Sequence, residues 1–202
     1  GLLYAGTENG MYISFDDGSS WQPFQLNLPI VPITDLTIKD KNLIAATQGR
    51  SFWMIDDLTP LHQLENGLAD QPFHLFAPLD AYRMGGGGRP SRTAGTNHPG
   101  GATVFYYVKD TAAMDTLRIE FHEQGGDLIR AYSTHPDRDA NEEELSVSPG
   151  MNLLNWNMRY RGAEGFDGMI LWAASLGGPT ALPGTYTVRL THGEMAVEQP
   201  LT

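Results

Sequence analysis

Ser14-Phe15-Asp16-Asp17-Gly18-Ser19-Ser20-Trp21 is the stretch on which the fold turns. Its spaced positions have separate local tasks. Asp16 is placed to accept hydrogen bonds from backbone N–H groups of its own turn, as aspartates do in Asx-turns. Gly18 supplies a backbone conformation that other residues resist. Trp21 brings a large apolar surface to lay beneath the hairpin. These tasks are structural, so Asp16 reads as the holder of a turn rather than as a chemical group. Strand-like runs flank the stretch, residues 11–14 before it and 21–26 after it.

Further strand signals follow outward from this corner. Residues 2–7 form an apolar run that ends at Glu8-Asn9-Gly10, where the Asn-Gly pair favours a tight hairpin. Residues 33–38, 43–47 and 51–55 are three more short strands, with Lys39-Asp40-Lys41-Asn42 as the turn between the first two. Pro60, Pro72, Pro78, Pro90 and Pro99 then punctuate residues 58–101, and Gly85 to Gly88 give that segment the composition of a linker. A coil of this length is unusual inside one compact domain, which puts a domain boundary there. Strand patterns return over residues 103–108, 116–121, 128–132, 145–147, 153–158, 185–190 and from 195 onward. Residues 134–144 read as a solvated acidic loop, and no segment has a clear helical period. The expected fold is all-β, with one unit over 1–57, a linker over 58–101 and a second unit over 102–202.

Composition narrows the function classes. A net charge of −11 argues against nucleic acid, which needs clustered Lys and Arg, and against an anionic membrane surface. No cysteine is present, so disulfides, thiolate metal sites and cysteine nucleophiles are excluded. No apolar run approaches the ~18 residues of a membrane span. Gly1 opens directly in a strand-like run rather than at Met, as expected of a fragment or a processed chain.

The opening octapeptide fits Ser-x-Asp-x-Gly-x-x-Trp, the Asp-box pattern of many β-propeller blades, through Ser14, Asp16, Gly18 and Trp21. Residues 49–57, Gly-Arg-Ser-Phe-Trp-Met-Ile-Asp-Asp, resemble the close of the propeller in large exported bacterial proteins of the sortilin-like, Asp-box (BNR) type, with Ser51 in place of a glycine. Residues 152–160, 168–172 and 183–191 are similar to segments of the same proteins, the last also to Ig-like domains of the flagellar hook-cap type. The resemblance implies a terminal propeller blade over 1–57 and an Ig-like β-sandwich over 102–202. A four-stranded blade uses ~40–45 residues, so 1–57 would be one blade plus strands of another. The rest of the propeller, upstream or on a separate chain, would be its partner. It also implies an extracellular or periplasmic protein. In that reading this non-catalytic segment completes and braces a propeller that binds a glycan or polypeptide. Many such proteins are labelled glycosyl hydrolases, so the alternative is one wall of a propeller glycoside hydrolase.

A glycosidase needs two carboxylates roughly 5–10 Å apart across the sugar. Asp56 and Asp57, at the end of an apolar strand, are the candidates. Adjacent strand residues point to opposite faces, so the pair reads better as a strand-ending turn. The six histidines are dispersed and none has metal-ligand spacing. Asp137, Asp139 and Asn141 resemble alternate oxygen ligands of a calcium loop, but the glycine and terminal glutamate of that motif are misplaced. No metal and no cofactor are expected. Trp156, Trp172 and Tyr160 read as sandwich core, with a sugar-stacking face as the alternative.

Overall fold

A computed structural model describes residues 1–64, 67–83, 99–112, 114–137, 139–140 and 142–202. Among them the chain is all-β, in four small open sheets, and it divides into two compact units, Gly1–Leu64 and Glu65–Thr202. Gly85 to Gly88 and Asn141 lie outside the described residues.

The first unit has two three-stranded antiparallel sheets. One holds β1 (Leu3–Thr7), β2 (Gly10–Ser14) and β3 (Gln22–Pro23). The other holds β4 (Ile33–Lys39), β5 (Asn42–Thr47) and β6 (Phe52–Ile55). Both are meanders because each connection is short enough to return the chain beside itself. Between β1 and β2 the loop is Glu8-Asn9, and only Gly10 takes positive φ (119°), so the Asn-Gly pair straddles the end of the turn. Between β4 and β5, Asp40 and Lys41 both take positive φ (50° and 68°), as the twist of a two-residue hairpin demands. Between β5 and β6, Gly49 and Ser51 do so, at 82° and 64°. The two sheets meet in a small core of Met11, Leu28, Leu43, Ala45 and Leu58, with Tyr4, Leu36 and Trp53 packed around it. Phe52 and Met54 alternate onto the far face of β6 and are 75% and 55% exposed.

A short α1 (Thr59–His62) ends this unit, where the sequence shows no helical period. One turn of helix is too short to display one; it forms because Pro60 fits its first turn.

The second unit starts within the segment read as linker. β7 (Phe73–Leu75) pairs with β8 (Ala102–Val108), and Phe73, Leu75 and Phe76 are buried. Three residues bounded by Pro72 and Pro78 are too few to display a period, so the prolines dominate the sequence pattern. The remaining strands are β9 (Leu117–Glu123), β10 (Leu128–Ser133), β11 (Glu143–Glu144), β12 (Gly150–Trp156), β13 (Tyr186–His192) and β14 (Met195–Leu201). One sheet has the order β11-β10-β9-β13-β14, the other β12-β8-β7. The strand expected over 145–147 is absent; Glu143–Glu144 pair with β10 instead, and Leu145 enters the core.

Both sheets of this unit feed one core. β8 alternates strictly, sending Ala102, Val104, Tyr106 and Val108 inward. Leu117, Ile119 and Phe121 of β9 and Val188 and Leu190 of β13 meet them. Trp156 closes the core, stacked on Phe121 at 4.6 Å between ring centroids, with Tyr186 edge-on at 5.7 Å. Pro200 lies on the edge strand β14, where a missing N–H costs no ladder bond.

Candidate functional site

The turn between β2 and β3 is built from side-chain to backbone hydrogen bonds. Ser14, 1% exposed, donates its hydroxyl proton to Asp16 Oδ1 at 2.8 Å and accepts the Gly18 N–H at 2.8 Å. Asp16 Oδ1 accepts the Ser20 N–H at 2.8 Å, and its Oδ2 accepts the Ser20 hydroxyl at 2.6 Å. Asp17 and Gly18 take positive φ, 58° and 88°, which turns the chain tightly enough for these bonds to close. The Ser20 hydroxyl, then the Ser20 N–H and the Ser14 hydroxyl, stabilise the carboxylate and lower the Asp16 pKa from 3.8 to about 2. Every Asp16 oxygen is thus engaged within the turn. Trp21 departs from the sequence expectation: its ring lies against the Gly18 backbone but is 44% exposed rather than buried beneath the hairpin. The hairpin's buried face is already taken by Met11 and Ile13.

Asp56 and Asp57 follow β6 directly. Asp57 Oδ1 accepts the Thr59 N–H at 2.7 Å and so opens α1, while Asp56 is exposed. In the 134–144 loop, Asp137 Oδ1 accepts the Asp139 and Ala140 N–H groups at 2.9 and 3.3 Å. Glu142 accepts the Asp137 N–H and also pairs with Arg118 at 2.7 Å. Asp137 is thus engaged within its own turn and Glu142 by that turn and Arg118, and among the described residues no three His, Asp or Glu side chains gather as a metal site. Of the three aromatics, Trp156 is core, Trp172 is 97% exposed, and Tyr160 lines a cleft.

Two charged clusters appear that no motif marked. On the outer face of the five-stranded sheet, Glu120 is buried, pairs with Arg118 and lies 3.2 Å from His122 Nε2. Arg118, Glu120 and His122 alternate along β9, so the period-two pattern of 117–123 was the available signal that they share a face. Arg118 also pairs with Glu142, while its enclosed Nε–H has no partner among the described residues.

The second cluster is a cleft of about 230 Å³ with Arg130, Arg159, Tyr160, Leu176 and Gly178 in its wall. Residues 159–163 run beside 176–180: the Tyr160 N–H donates to Pro179 O and the Ala163 N–H to Leu176 O, both at 2.9 Å. A Cβ on Gly178 would stand 2.1 Å from the Tyr160 carbonyl oxygen, and one on Gly162 would stand 2.3 Å from that of Leu176. Only glycine permits this approach. Arg159 Nη1 donates to Gly178 O at 2.8 Å, and Arg159 pairs with no carboxylate among the described residues. Arg130 pairs through Nη2 with Glu143, while its enclosed Nε has no partner among them. Tyr160 donates its hydroxyl to Glu123 at 2.5 Å, and this bond, with desolvation second, pushes the phenol up to about 12. No sequence pattern links Arg130 to Arg159, because a bulge in β10 and the 159–163 segment bring them together.

No protein-family model, no curated protein and no solved structure matches this chain.

Proposed function

We propose that the chain is the closing part of an exported Asp-box β-propeller protein, with no catalytic role of its own. In this reading Gly1–Leu64 supplies outer strands of one blade and inner strands of the next. The second unit is an Ig-like sandwich that braces or caps the ring. The intact protein works outside the cytoplasm and binds a glycan or polypeptide on the propeller.

One observation carries the proposal. Two three-stranded antiparallel meanders share one small core, and the hydrogen-bonded turn from Ser14 to Trp21 joins the last two strands of the first. Propellers repeat small antiparallel sheets around a channel, and two neighbouring meanders support that reading. Phe52 and Met54 stand uncovered on the far face of β6, where a next blade would lie. The sandwich reading is supported by two sheets that share one core and by the buried tryptophan at its centre. The engagement of Asp57 with the Thr59 N–H supports a structural rather than catalytic use of that pair.

The test uses the intact parent protein in glycan-array and peptide pull-down assays. Saturable binding, abolished when substitutions are placed in the central channel of the ring, is expected. Binding at background in both assays would remove the recognition role. Hydrolysis of a glycan that is lost with Asp56→Asn or Asp57→Asn in a folded protein would instead establish the glycosidase.

A further inference from the structure

We propose that the free edge of β12 pairs with a second copy of this chain, strand against strand, about a two-fold axis at Leu153. Every residue involved belongs to the second unit, so the proposal stands apart from the propeller reading.

The two sheets of this unit divide the charge unequally. The strands of the five-stranded sheet carry eight charged side chains, among them the paired Arg118, Glu120, Arg189 and Glu198. The strands β7, β8 and β12 carry none. Their outer face is apolar and aromatic instead: Met151 stands opposite Tyr107, and Leu153 opposite Phe105. Met151 and Leu153 are 45% and 54% exposed. A chain of net charge −11 repels its own copies, and two of them meet at least electrostatic cost along an uncharged strip.

The edge itself is open. An unpaired strand offers a row of N–H and C=O groups to another strand, and proteins blunt such edges with brevity, charge or proline. Three edges of this unit are blunted. β11 has two residues, both glutamates. β14 carries Glu198 and Pro200. β7 has three residues between Pro72 and Pro78, and Gln199 Nε2 donates to Leu75 O at 3.2 Å. β12 runs for seven residues without a bulge, a proline or a charge. It ends its sheet, and among the described residues no further backbone segment bonds its free side.

The edge also matches itself, as a two-fold interface requires. In antiparallel register about Leu153, that residue stands opposite its own counterpart, Met151 opposite Asn155, and Asn152 opposite Leu154. No pair sets charge against charge, and the two three-stranded sheets become one of six strands. An extended peptide is the other occupant such an edge accepts; the self-matching register favours the second copy. A strand edge with a few side chains falls below the ~1,200 Å² of a stable interface, so the dimer is weak and concentration-dependent.

The full chain is run by sedimentation velocity over a wide range of concentration, where a reversible monomer–dimer equilibrium is expected. Leu153→Lys, at an exposed position, sets two like charges on the axis and should weaken the dimer roughly tenfold or more, with unchanged circular dichroism. Met151→Lys gives a second reading should Leu153→Lys lose its fold. Ala196→Lys, exposed on the edge strand of the other sheet, should leave the equilibrium unchanged. Leu153→Cys supplies the chain's single thiol and should oxidise to a covalent dimer faster than Ala196→Cys. A chain that stays monomeric at every concentration overturns the proposal, whether or not it captures extended peptides. So does a dimer that the folded lysine variants at 151 and 153 leave intact, or one that Ala196→Lys weakens as much.

Discussion

Ser14→Ala tests the turn that organises the first unit. The serine hydroxyl sits at a junction: it donates to Asp16 Oδ1 at 2.8 Å and accepts the Gly18 N–H at 2.8 Å, with a weaker contact from the Asp16 N–H at 3.4 Å. Alanine leaves almost no void, so the cost comes from hydrogen bonding and not from packing. Two good bonds at a net ~0.5–1.5 kcal/mol each give ~1–3 kcal/mol. Ser14 is buried but Asp16 is exposed, so water can replace the bond to the carboxylate more readily than the one to Gly18. A loss of about 2 kcal/mol is therefore expected. Ser20→Ala provides the comparison. It removes one exposed hydroxyl bond and keeps the Ser20 N–H bond to Asp16, so it should cost under ~1 kcal/mol. The assay is urea unfolding of both variants, with amide hydrogen exchange at Gly18 and Ser20 as the local readout. A Ser14→Ala cost at or below that of Ser20→Ala, with Gly18 still protected from exchange, would refute the assignment of Ser14 as the centre of the turn.

The Asp16 pKa is lower in the folded turn, about 2, than its ordinary 3.8, so its contribution is fully present above pH 3.8 and is lost as the pH falls through 3.8 towards 2. The protection of the Ser20 N–H, measured against its intrinsic exchange rate, should fall over that window, and Asp16→Asn should remove this pH dependence. Ser51 holds positive φ (64°) with its carbonyl accepting the Thr47 hydroxyl at 2.6 Å, so Ser51→Gly should relieve strain and raise stability by about 1 kcal/mol, read as a higher urea midpoint. Trp156 is 1% exposed, stacked on Phe121, and donates its Nε1–H to Arg159 O at 3.1 Å; Trp156→Ala should cost ~3–5 kcal/mol, read by denaturant unfolding of the second unit's near-ultraviolet signal.

The β character, the meanders and the corner at Ser14 to Trp21 were legible from the chain because their causes are short-range. A turn needs only a few neighbouring residues, and Ser14, Asp16 and Gly18 carry its donors, acceptors and backbone freedom within five positions. The strand character of residues 103–108 and 116–121 was legible for the same reason. A linker was expected over 58–101, but the second unit reaches into that segment, with Phe73–Leu75 as one of its strands. Features that depend on distant segments were hidden. Phe73–Leu75 becomes a strand because β8 offers it an edge, which nothing within those three residues announces. Trp21 stays half-exposed because Met11 and Ile13 already fill the buried face. Residues 159–163 and 176–180 run side by side because glycines at 162 and 178 let the two backbones touch, and that juxtaposition has no local period or spacing to betray it. Local stereochemistry thus wrote the turns and strands into the chain, whereas burial, pairing and the meeting of charges waited on long-range contacts.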